Sequence, residues 1–328
     1  MDSGLEVGII IDEKCNIECA HCCFSSGPKS TQHLDDDEIL RIARESVESP
    51  TVTTVGISGG EAMLRKSVVL ETIQIVSQGK KSVSLTTNGF WGVTPEKATQ
   101  TANELKDAGL SHLTISYDGF HSDLLKPQRV ANVLDAAKSI NLPVSINIAV
   151  TSQDNGDNAV SLLQESADDV PLRRFSVTPV GRAKSLTQDD FIRKTYDPDA
   201  LRCPGFEPTF HFDGQVYPCC SPIVFDTCLQ VGSVEDTSVD DSIDRISRNA
   251  YFAIIRREGF GWLHKKAVEE GILDKEGSES VVDACELCAR LTKNEEFLST
   301  IAPELVARAS SLPPLTGADM STSAPSPM

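Results

Sequence analysis

The stretch "CNIECAHCC", residues 15–23, sets four thiols within nine residues, three residues after the apolar run "VGIII". Thiols that close fit a zinc site, a disulfide knot, or three ligands of an iron–sulfur cluster with one cysteine over. The surrounding chain narrows the choice. It has 328 residues and ten cysteines. The N-terminus carries neither a basic n-region nor a long apolar h-region, so no export signal is read and a cytoplasmic location is expected. Thiols there stay reduced and serve as metal or redox ligands, which counts against disulfides. Structural zinc favours two separated ligand pairs. The lone C-x3-C-x2-C triad of Cys15, Cys19 and Cys22 instead suits a 4Fe-4S cluster whose fourth iron is left open to an amino and carboxylate ligand.

Working outward, "EVGIIID", "TVTTVGIS", "SVSLTT", "HLTISY", "PVSINIAV" and "RRFSVTPV" read as six strands. Each is mostly apolar rather than alternating, as expected of a parallel sheet buried on both faces. Helix candidates lie between them. One opens on Asp35–Asp37, acidic residues suited to a helix start. Another begins Thr94-Pro95, an N-cap followed by a first-turn proline. Successive right-handed β/α units curl into a partial barrel, so the class is α/β. Residues 1–195 form this unit and 196–300 a second, smaller one. "CPGFEPTFHFDGQVYPCC" reads as a hairpin turning at Asp213-Gly214. "DACELCARL" reads as a loop entering a helix. Residues 301–328, ending in a stretch rich in Pro, Ser and Thr, are expected to be a disordered tail.

The formal charge, 30 − 48 = −18, speaks against a nucleic-acid surface. No apolar run approaches the roughly 20 residues that span a bilayer.

The triad after strand one, with "SGGE" at 58–61 after strand two, resembles the radical S-adenosylmethionine (SAM) superfamily. The resemblance implies that Cys15, Cys19 and Cys22 hold the cluster and that Gly59, Gly60 and Glu61 bind SAM's methionine amino group. It also implies that Asn88 in "TTNGF", Ser116 or Asp118 near the ribose, Asn147, and Val180 to Arg182 beside the adenine contribute to the SAM site. His21 stands where the family often has an aromatic. Cys203 and Cys219 on the hairpin, with Cys285 and Cys288 as C-x2-C, resemble the SPASM/Twitch extension and imply one auxiliary 4Fe-4S cluster. Zinc remains an alternative for that second set.

Cys23, Cys220 and Cys228 are left over. "SYDGFH" and "PCC" look most like the epipeptide epimerases, peptide-modifying members that convert L- to D-residues. That likeness implies Cys220 as the hydrogen-atom donor, a precursor peptide as substrate, and a reductant such as flavodoxin or ferredoxin. With fourteen residues before Cys15, no separate leader-binding domain is expected. Peptide crosslinking, small-molecule dehydrogenation, and a non-catalytic iron–sulfur scaffold are the alternatives. His121 and His211 read as surface loop residues, Asp213 as a turn residue, and Glu207 as a substrate contact at most.

Overall fold

The alternation is present strand by strand in the computed structural model, which describes residues 4–321. β1 (Leu5–Ile10), β2 (Val52–Ser58), β3 (Ser82–Thr87), β4 (His112–Ser116), β5 (Val144–Val150) and β6 (Leu172–Ser176) pair in sequence order, all parallel. Between them run α1 (Asp36–Glu48), α2 (Lys66–Gln78), α3 (Pro95–Ala108), α4 (Gly119–Ser122), α5 (Pro127–Ser139) and α6 (Asp157–Ser161). The expected caps set the helix starts. Asp35 donates its N–H to Glu38 at 3.2 Å, and Thr94 Oγ1 accepts from Lys97 N–H at 3.3 Å ahead of Pro95. Gly109, at φ +103°, ends α3 in the left-handed region.

The two faces of the sheet differ. Outward residues such as Ile9, Val55, Leu85, Ile115 and Ile146 are fully buried under the helices. Inward positions are small or polar: Gly8, Gly56, Ser84, Thr114, Asn147. They line an open lumen rather than a second apolar layer, so burial on both faces holds less well than the sequence suggests. β6 departs furthest. Residues 171–175 are all exposed, because β6 ends the sheet and no described strand covers its outer edge.

Then come β7 (Lys194–Thr195), β8 (Thr209–His211), β9 (Gln215–Tyr217) and β10 (Gly232–Ser233). The hairpin turns where expected, with Gly214 at φ +83°. Asp213 accepts from Gln215 N–H and from the Tyr217 hydroxyl, each at 2.9 Å. β8 lies parallel to β1, pairing Thr209 with Gly8 and His211 with Ile10. The hairpin therefore extends the barrel sheet, whose order is β10-β9-β8-β1-β2-β3-β4-β5-β6. After α7 (Val239–Ser247), α8 (Ala250–Arg257) and α9 (Gly261–Glu269), β11 (Ser280–Val281) pairs with β7. α10 (Ala284–Thr292), α11 (Glu295–Ala309) and α12 (Gly317–Met320) complete the described chain. A second apolar core gathers Phe206, Phe252, Phe260, Leu287 and Leu291.

The expectation of disorder over 301–328 fails for residues 301–321. Ile301, Leu315 and Met320 are buried in the second core, and Met320 C=O accepts from Phe206 N–H at 2.7 Å. Polar composition masked three apolar anchors spaced to reach that core. Residues 322–328 lie outside the described residues. Among the described residues, no helix is long and apolar enough to cross a membrane.

Candidate active site

The loop after β1 is laid onto the end of β2. Gly60 N–H donates to Asp12 C=O at 2.6 Å and Glu61 N–H to Lys14 C=O at 2.9 Å. A Cβ on Gly59 would stand 2.9 Å from the Asp12 carbonyl oxygen, and one on Gly60 would overlap the carbonyls of Glu13 and Lys14. Both glycines are needed for this close backbone approach. On the loop, Cys15 and Cys19 are buried and Cys22 is half-buried. Ser26 N–H points at Cys22 Sγ, 3.3 Å away.

Arg182, expected beside the adenine, engages the cysteine loop. Its guanidinium donates to the carbonyls of Cys19, Ser25 and Ser26 at 2.8 Å each, and its N–H donates to Cys22 C=O at 2.9 Å. It clamps the cysteine loop, because a planar fork of donors suits several convergent carbonyls. Gly181, at φ +52°, lets it approach: a Cβ there would overlap the Cys22 and Cys23 carbonyls. Val180 likewise lies inside, packed with Ile223 and Ala289 between Cys23 and Cys285.

Glu61 is nearly fully buried, and its carboxylate is already engaged. It accepts from Met63 N–H at 3.0 Å, Thr87 Oγ1 at 2.7 Å and Asn88 N–H at 2.7 Å. Burial raises its pKa, which these donors only partly offset. These bonds brace β2 against β3 around the carboxylate expected to meet an ammonium. Asn88 also reaches back to Asn16 Oδ1 at 2.9 Å and toward Cys15 Sγ at 3.8 Å.

Asp118 is similarly occupied. Its carboxylate meets His121 Nδ1 at 2.9 Å, His121 N–H at 3.1 Å, Ala149 N–H at 3.3 Å and His21 Nε2 at 3.5 Å. Burial works to raise the Asp118 pKa, but His121 and His21 outweigh it and hold the carboxyl below its usual range. For His121 burial works downward, yet Asp118 and the Cys19 thiol lift it to about 10. His21 goes the other way, to about 4, chiefly through burial. His121 is buried, not a surface residue, and with His21 it brings a ring nitrogen within 4.8 Å of Cys19 Sγ. Ser116 and Asn147 face each other across β4 and β5, and Asn147 Oδ1 is buried with no hydrogen-bond partner.

The second cysteine set converges from three segments. Cys203 precedes β8, Cys219 follows β9, and Cys285 and Cys288 lie on α10, yet all four line one cavity of about 130 Å³. Cys203 Sγ points at Gly205 C=O, 3.3 Å away, and Tyr251 hydroxyl lies 3.3 Å from Cys288 Sγ. Burial raises the pKa of each thiol, Cys203 to about 11 and Cys288 to about 12. The cysteines add to one another's shifts, Cys219 and Cys285 included.

Cys220 borders the same cavity but turns to different neighbours. It is exposed to solvent. Burial and then the Glu207 carboxyl, to which it hydrogen-bonds, push its pKa well above the thiol range. Glu207 itself is raised to about 8, by burial and then by Glu6. Glu6 and Glu207 fill the lumen space that the missing side chains of Gly56 and Gly8 leave open. Cys220 thus marks where the second cavity meets the lumen.

Cys23 is packed beside Val180, and the Cys228 thiol donates to Thr292 C=O at 2.9 Å. His211 is buried against Phe24, Phe212 and Phe225, another departure from the surface reading, because β8 joins the sheet. The loop clamp by Arg182 left no signal in spacing; only its place directly after Gly181 hinted at a close approach.

The donor set fits the group expected here. All ten cysteines are free, and three sit on one braced loop. Burial lifts the Cys15 pKa to about 12, with Cys19 and Cys22 adding to it, so thiolates there call for cationic iron. The unpartnered Asn147 Oδ1 and His21 Nδ1 are free to meet a ligand.

The sequence profile of the radical SAM superfamily matches residues 9–165. YydG of Bacillus subtilis (strain 168), which is named for peptide biosynthesis, is 30% identical over 306 residues, covering 90% of this chain and 95% of that protein. GTP 3',8-cyclase of Lactiplantibacillus plantarum is 30% identical over 200 residues, 57% of this chain and 58% of the enzyme. Among solved structures, anSMEcpe with bound AdoMet and the Cp18Cys peptide is similar at TM-score 0.54 and 16% identity, covering 94% of this chain and 99% of that one. SuiB of Streptococcus suis follows at TM-score 0.52 and 15% identity, over 72% and 65% of the two chains. These two share the fold, a partial α/β barrel. With the relative's coverage nearly complete, the chain belongs to the radical SAM superfamily, whose members use a 4Fe-4S cluster and SAM.

Proposed function

We propose that this enzyme modifies a ribosomally made peptide by inverting a residue from L to D. The observation that carries the reading is the placement of Cys220, a thiol kept protonated at the junction between lumen and second cysteine cavity. Likeness to the peptide-biosynthesis protein YydG supports a peptide substrate.

Cys15, Cys19 and Cys22 hold the SAM-binding cluster, with Asn147, Ser116 and the glycines of "SGGE" around the ligand. Cys203, Cys219, Cys285 and Cys288 hold an auxiliary 4Fe-4S cluster. Cys219 is preferred to Cys220 as the ligand, because it interacts with Cys203 and Cys288 while Cys220 faces Glu207 and Glu6. When bound, cluster and SAM supply a 5'-deoxyadenosyl radical able to remove a Cα hydrogen atom. The chain's own contribution is to hold the peptide in the lumen and keep an S–H bond on the opposite face. Cys220 Sγ–H returns the hydrogen there, and a reductant such as flavodoxin or ferredoxin supplies the electron that, with a proton, restores the thiol. Arg182 and Asp118 act on the cysteine loop from outside the reaction.

The test is to incubate reduced, cluster-loaded enzyme with a precursor peptide encoded beside its gene. Epimerisation leaves the mass unchanged in ordinary water and yields a D-residue on hydrolysis. A product lighter by two hydrogens would replace this reading with crosslinking or dehydrogenation.

A further inference from the structure

β6 is unlike the other barrel strands in having every residue of 171–175 exposed, including Leu172 at 36% and Phe175 at 46%. The backbone explains what the exposure offers. In a parallel ladder the N–H and C=O of one residue point the same way, and successive residues alternate. Ile146 N–H donates to Pro171 C=O, and Val177 N–H donates to Val150 C=O. Residues 171, 173, 175 and 177 therefore turn toward β5. Leu172 and Arg174 turn their backbone groups to the open edge, where no described strand lies. Two residues of unpaired donors and acceptors form a template for one more strand.

The side chains are sorted by the same alternation. Register with Asn147 and Ala149 puts Arg173 and Phe175 on the lumen face, and Leu172 and Arg174 on the outer face. Arg174 is already paired with Asp157 at 2.6 Å. Arg173 forms no ion pair among the described residues; its charge is felt by Glu6 across the lumen. Edge arginines can simply guard a sheet against aggregation. Here they guard selectively. A second copy set antiparallel against "LRRF" puts arginine opposite arginine, which is unfavourable, whereas an acidic segment meets opposite charge in the same register.

We infer that the β6 edge docks the peptide substrate as an added extended strand, one with an acidic residue opposite Arg173 and apolar residues flanking it. This rests on the peptide-modifying reading above and gives that reading a recognition element. Strand addition at this edge carries the peptide along the lumen's open side, and backbone pairing supplies affinity while the alternating side chains supply selection.

The probe is the capped hexapeptide Ser-Val-Asp-Glu-Val-Ser, against Ser-Val-Lys-Lys-Val-Ser, added to cluster-loaded protein. At ten times its Kd the acidic probe slows amide hydrogen exchange at Leu172 and Arg174 about tenfold, and the basic probe does not. Arg173→Glu reverses that preference. Leu172→Pro, which removes an outward N–H but no bond to β5, abolishes the slowing. No slowing at millimolar probe, equal slowing by both probes, or slowing that depends on protein concentration alone overturns the inference. Exchange needs no turnover, so the two readings fail separately. Slowed amides without any modified peptide count against the enzymatic reading. A modified peptide with unslowed amides counts against this edge.

Discussion

The two cysteine sites are built in opposite ways. Cys15, Cys19 and Cys22 come from one loop of eight residues, held by outside clamps: the Gly59-Gly60 backbone, Asn88 and Arg182. Cys203, Cys219, Cys285 and Cys288 are scattered over the second half of the chain and meet only because a hairpin and a helix are folded together. The first site is local and needs support to stay put. The second is non-local, so it exists only when the second core has formed. Val180, packed between Cys23 and Cys285, joins them.

Substitutions can break this comparison. Cys19→Ala has the largest effect: it abolishes 5'-deoxyadenosine formation and removes about four irons per chain, leaving those of the second site. Cys285→Ala with Cys288→Ala removes the other cluster's iron but leaves SAM cleavage in place, now uncoupled from a finished product. If both variants lost all iron, the sites would be one unit rather than two. Arg182→Ala is milder. It removes charge-assisted hydrogen bonds from three loop carbonyls on a partly exposed side chain and costs about 2 kcal/mol in denaturant unfolding. Iron reconstitution slows at the first site alone, and Arg182→Lys does not restore it.

The smallest effect concerns pH. Glu207 has a folded pKa of about 8 against an ordinary 4.5, so the folded chain holds a proton that the unfolded chain releases between them. Stability of the iron-free protein should therefore fall as pH rises through that window. Glu207→Gln flattens the slope; an unchanged slope assigns it to another group.

The six barrel strands and the Cys15, Cys19 and Cys22 triad were legible because they rest on local pattern: β-branched runs, helix caps, and thiols at ligand spacing. The second cysteine set was read only through its resemblance to the SPASM/Twitch extension. What escaped depended on distance in sequence. Glu61 and Asp118 carry motif positions, but nothing local shows that their carboxylates also meet Thr87, Asn88, His121 and Ala149. His211 read as a surface residue because nothing local reveals that β8 pairs with β1. The tail looked disordered because Leu315 and Met320 find their partners far back in the chain. Exposure of β6 could not be read either, since an edge strand and a central strand share one apolar pattern.

The most direct test of the account is deuterium uptake. Reduced, cluster-loaded wild-type enzyme acting on its peptide in D2O should add one deuterium per inverted residue. Cys220→Ala should still form 5'-deoxyadenosine yet yield no D-residue. A Cys220→Ala enzyme that inverts the peptide and takes up deuterium as before would contradict the claim that this thiol closes the reaction.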